Sequence, residues 1–94
     1  MSNKEQFEVF LNELGLSEKT INSYVSCLEG MVTDNIKKYM ESINIYDIAN
    51  APTLNFLLDE IKKVPSFAEQ NSRAGNMYSA AFRKYIEYCQ SIQD

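Results

Sequence analysis

Two short stretches carry the residue types that recognise phosphate. In "SEKTINS", Ser17, Lys19, Thr20, Asn22 and Ser23 gather at what reads as a helix start. The first turn of a helix offers backbone N–H groups without intrahelical acceptors and the positive end of the dipole, so hydroxyls and a lysine there suit an anion. The plain alternative is that Ser17 only caps and Lys19 only solubilises. In "NSRAGNMYS", Arg73 is followed by a glycine that permits close backbone approach, then by Asn76 as a helix cap, with Tyr78 and Ser79 in the first turn. Helical spacing predicts one face displaying Asn76, Ser79 and Arg83 together, with Lys84 beside them. No Asp or Glu occurs from Gln70 to Ile86, in a chain whose net charge is -4. An ordinary solvated helix face is the competing explanation.

Covalent chemistry finds little support. The chain has no histidine, which removes the commonest general base and every Ser/His/Asp or Cys/His arrangement. Glu5, Glu8, Glu13, Asp59 and Glu60 fall beside apolar stripes at positions that face solvent. The three glycines are isolated, so no phosphate-cradling loop is present. Cys27 and Cys89 are far apart, in no CxxC pair, and read as reduced thiols packed like small apolar groups rather than as metal ligands. The expectation is a non-enzymatic protein with no metal and no cofactor.

The elements that must position these residues are helical. Ser2 and Glu5 have capping-box spacing, Phe7, Phe10, Leu11 and Leu14 form an apolar stripe, and Gly15 supplies a stop, giving a helix over about 3–14. Ser17 caps a second helix whose buried face is Ile21, Tyr24, Val25, Leu28, Met31 and Val32. Asp34 is expected to cap a third, carrying Ile36, Tyr39, Met40 and Ile43, before a loop with one helical turn around Asp47. Pro52 opens a helix with Leu54, Leu57, Leu58 and Ile61, which Pro65 ends. Ser66 and Glu69 suggest a short capped turn, followed by polar "EQNSRAGN". A long final helix runs from Asn76 to about Ile92 with Met77, Ala81, Tyr85, Tyr88 and Ile92 on one face and Phe82, Ile86 and Cys89 alongside. That stripe suits an intramolecular core and also permits a dimer contact. The expected fold is an all-α, compact bundle of four to five helices, with residues 1–94 as a single helical domain.

Composition narrows the setting. A hydrophobic fraction of 45 % is ample for a packed core. No stretch approaches the roughly 18 apolar residues of a membrane span, and reduced cysteines favour a cytoplasmic location without membrane contact. The acidic balance argues against general affinity for nucleic acid, so any DNA contact must come from a local patch.

"GLSEKTINSYVSCLEGMV" and "NMYSAAFRKYIEYC" together resemble the N-terminal core-binding domain of tyrosine recombinases, the phage-integrase family with a SAM-like helical fold. Gly15-Leu16-Ser17 matches the turn after that family's first helix. Thr20 and Tyr24 match its second-helix pattern, and Ala80, Ala81, Tyr85 and Tyr88 match its last helix. The sequence is also similar to a helical module that precedes nuclease domains in restriction-type defence proteins. The resemblance covers most of the chain and implies a DNA clamp using Lys19, Thr20, Ser23, Arg73, Asn76, Ser79, Arg83 and Lys84 on double-stranded DNA. The family's catalytic residues belong to a catalytic domain outside this chain, which leaves Tyr85 and Tyr88 as core residues. Such domains are usually basic, and this chain departs from them at -4.

Two functions follow as expectations. One is a non-catalytic DNA-binding module of recombinase or restriction-nuclease type. The other is an acidic helical protein–protein interaction module of a phage or mobile-element protein, for which the tyrosines and an exposed Met40 would suit a protein partner.

Overall fold

Local capping sets most of the helix boundaries. A computed structural model describes residues 3–37 and 44–92 of the chain. Helix α1 spans Asn3–Glu13 and closes in a Schellman turn. Gly15 at φ 85° donates to the Asn12 carbonyl, and Leu16 N–H reaches the Leu11 carbonyl at 3.4 Å. Helix α2, Glu18–Cys27, begins where Ser17 Oγ accepts the Thr20 N–H. The cap assigned to Ser2 lies outside the described residues.

The path beyond α2 differs from the sequence expectation. Rather than stopping for a new cap at Asp34, the chain continues through a π turn, Leu28–Val32, into α3, Thr33–Ile36. The wider turn keeps Leu28, Val32 and Ile36 fully buried. Thr33 Oγ donates to the Leu28 carbonyl at 2.6 Å and accepts from Ile45 N–H at 3.4 Å, so a buried hydroxyl stitches the turn to the following segment. Tyr39, Met40 and Ile43 lie outside the described residues. A 3-10 turn, Ile45–Asp47, supplies the expected helical turn, closed by a reciprocal box between Asn44 and Asp47.

Helix α4, Ala51–Lys62, starts with the Asn50 side chain accepting Thr53 N–H and with Pro52 in its first turn. Pro65 opens α5, Pro65–Arg73, which is longer than the short turn expected there. Ser66 therefore falls inside the helix and caps nothing, since Val64 precedes Pro65 at the cap position. Helix α6, Met77–Ile92, packs against α1, α2, α4 and α5.

The protein is thus an all-α bundle, and its centre is aromatic. Tyr85 meets Phe7 edge-on at 5.3 Å and Tyr46 edge-on at 5.5 Å, and its hydroxyl donates to the Ile48 carbonyl at 2.8 Å. Tyr46 in turn donates to the Val25 carbonyl at 3.1 Å, and Tyr88 to Gln6 Oε1 at 2.9 Å. Tyr85 and Tyr88 are core residues, as are the two free thiols of Cys27 and Cys89. At the edges the apolar stripes run out of partners: Leu14 and Ile92, expected on buried faces, are each 49 % exposed.

Burial pushes the Tyr46 and Tyr85 phenols well above their ordinary value of 10.0. The fold thus favours the neutral phenols, and unfolding releases their protons once the pH exceeds that ordinary value. Stability is intact below pH 10 and falls above it by about 1.4 kcal/mol per pH unit for each phenol. Alkaline titration should show tyrosinate absorbance from this pair rising together with loss of helical circular dichroism. Smooth ionisation of every tyrosine before any helix is lost would contradict this account of the core.

Candidate nucleic-acid interface

The two helix starts singled out in the sequence differ in how their first-turn donors are used. At α2, Ser17 is extended at φ -68° and ψ 155°, accepts the Thr20 N–H and donates its hydroxyl to Thr20 Oγ at 2.9 Å. Ile21 N–H takes the Ser17 carbonyl. The N–H groups of Glu18 and Lys19 meet no acceptor among the described residues, so this end keeps two outward donors. Lys19 is exposed and in no ion pair among the described residues.

At α6 the first-turn donors are used except for Tyr78 N–H, which meets no acceptor among the described residues. Met77 N–H donates to the Ala74 carbonyl, Ser79 N–H to Asn71 Oδ1 at 3.1 Å, and Ala80 N–H to the Asn76 carbonyl. Asn71 Nδ2 also donates to Ser79 Oγ, which passes its own proton to the Asn76 carbonyl at 3.0 Å. Ser79 is consequently buried at 4 % exposure and does not share a surface with Asn76 and Arg83. The physical reason is the extra length of α5, which carries Asn71 under the start of α6. Asn76 itself sits at φ 65°, directly after Gly75 at φ 63°, and engages through its backbone carbonyl rather than as a side-chain cap.

The basic residues also separate. Arg73 pairs with Glu69, and Lys84 with Glu87 at 3.1 Å. Both glutamates lie just outside the acid-free window, one helical turn from their partners. Arg83 is exposed and forms no ion pair among the described residues. It lines a groove of about 300 Å³ between α4 and α6 with Lys62 and Asn55, but also with Asp59 and Glu87.

A larger groove, about 670 Å³, runs along α2. Lys19, Asn22, Ser23 and Ser26 line it, with Glu18 and Cys27, and Met77 closes it from the start of α6. Of the eight expected contact residues it holds Lys19 and Ser23, while the half-buried Thr20 belongs to the cap beside it. Ser26 was missed by sequence reading, although its spacing of seven from Lys19 continues the polar stripe of Lys19, Asn22 and Ser23. Burial pushes the Cys27 thiol above its ordinary value, which suits a packing group rather than a nucleophile. Among the described residues no three metal-binding side chains converge, and no helix is long and apolar enough to cross a membrane.

No family model matches the chain, and no similar protein is found among curated sequences or among solved structures.

Asn71→Ala removes both bonds to Ser79 and strands a buried N–H. The expected loss is about 1–3 kcal/mol in urea unfolding, with helix α2 and its groove unaltered. A loss below about 0.5 kcal/mol would mean that this pairing does not hold the α5–α6 corner.

Proposed function

We propose that this chain is a non-catalytic DNA-binding module of the core-binding type seen in integrases and in restriction-type nucleases. The observation that carries the reading is the α2 start, where two unpaired backbone N–H groups, an unpaired Lys19 and a groove of amide and hydroxyl side chains occur together. Backbone donors at a helix N-terminus with Lys, Ser and Asn beside them are the groups that position a phosphate backbone. Arg83, in the α4–α6 groove, and Arg73, by exchanging Glu69 for a phosphate, add cations away from the α2 start that attract the same duplex.

Size and charge limit the strength. The longest extent of the protein is 34 Å, which spans about ten base pairs of duplex. With about three phosphates neutralised against a net charge of -4, affinity is micromolar and does not read bases strongly. Glu18 stands at the same helix end as Lys19 and opposes the phosphate.

Fluorescence anisotropy on a labelled duplex tests the reading. Raising salt from about 50 to 200 mM should weaken binding about forty-fold for three contacts. Lys19→Glu should weaken it by at least about ten-fold, the triple change of Arg73, Arg83 and Lys84 to Glu should weaken it further, and Glu18→Gln should strengthen it. Binding that ignores salt, or that Lys19→Glu and Glu18→Gln leave unchanged, sinks the proposal.

A further inference from the structure

Helix α1 carries a second stripe outside the core. Gln6, Val9, Phe10 and Glu13 recur at helical spacing and, with Tyr88 and Ile92 of α6, line a groove of about 250 Å³. Val9 is 45 % exposed and Ile92 49 %, and Leu14 at the end of α1 is equally open. On the other flank of Val9 a separate groove between α1 and α2 is lined by Glu8 and Glu18. No Lys or Arg lines either groove, and Glu8, Glu13 and Glu18 enter no ion pair among the described residues.

We propose that this α1–α6 face docks a cationic amphipathic helix of a partner protein. An apolar channel between two helices is the seat of a third, filled by side chains at i, i+3, i+4 and i+7. Carboxylates on both sides of Val9 select Lys or Arg on the flanks of the incoming helix. A second copy of this chain is disfavoured as occupant, because a two-fold contact through this face would set its glutamates against themselves. Anionic DNA is excluded from it for the same reason. The inference does not depend on the DNA reading: the α1–α6 groove shares no lining residue with the α2 groove, and of the neighbouring α1–α2 groove only Glu18 and Asn22 also line the α2 groove.

The probe is a synthetic helical peptide with Leu at i, i+3, i+4 and i+7 and Lys on both flanks, titrated into isotope-labelled protein. Amide shifts should concentrate at Val9, Phe10, Glu13 and Ile92. The double variant Val9→Ser with Ile92→Ser, which removes only exposed apolar groups, should weaken binding at least ten-fold while helicity and duplex binding stay unchanged. Glu8→Gln with Glu13→Gln should weaken it and flatten its salt dependence, and a peptide with Glu in place of Lys should not bind. No binding of the Lys peptide, equal binding to the Ser variant, or shifts confined to another face would overturn the proposal. A dimer in sedimentation that the Ser variant abolishes would assign the face to a second copy and overturn it as well.

Discussion

A phenol hydroxyl in a core that excludes water must find an acceptor, and Tyr85 finds one in the Ile48 carbonyl at 2.8 Å. That bond fixes how far α6 can slide against the segment joining the 3-10 turn to α4. The ring then sets the rest, since Phe7 of α1 and Tyr46 of the turn both present their edges to it. Tyr46 and Tyr88 repeat the arrangement, each an apolar body with its hydroxyl tied to a carbonyl oxygen elsewhere. A small bundle with one such centre has little freedom to choose another packing, because every displaced ring would strand a buried polar atom.

Helix ends in this protein are settled in two ways, and the difference decides what the surface can do. The α5–α6 corner is closed on itself by a Schellman turn, two consecutive left-handed residues and the Asn71 side chain. It spends its donors on rigidity. The α2 start is capped by Ser17 alone and retains the N–H groups of Glu18 and Lys19. A helix start can hold the fold together or face a ligand, but the same N–H cannot do both.

Charge is distributed with similar economy. Arg73, Lys84, Lys4 and Lys63 are each matched by a glutamate, leaving Lys19, Lys37, Lys62 and Arg83 as cations without an ion pair among the described residues. Exposed pairs of this kind are worth little in stability, so Arg73 and Lys84 give up little if a phosphate replaces their partner. Glu8, Glu13 and Glu18 around Val9 enter no ion pair among the described residues.

Helix starts and stops were legible in the chain, because a cap or a Gly turn involves residues three to five apart: Ser17, Gly15 and Pro52 act where their spacing places them. The buried faces were legible for the same reason of period, and that period also puts Glu69 and Glu87, immediately outside the acid-free run, one turn from Arg73 and Lys84. Counting acids along the chain hid these pairs; following the helix period reveals them. Tertiary structure alone decided that Ser79 is buried, that the α6 start is held by Asn71 while the α2 start is capped only by Ser17, and that α2 continues through a π turn into α3. Each of these turns on a partner from a different element or on a length that packing imposes: Asn71 reaching under α6, Thr33 bridging to Ile45, Met77 closing a groove on α2. Sequence periodicity reports which side of a helix is apolar, and it carries no information about which neighbour arrives to use up the polar groups on that helix.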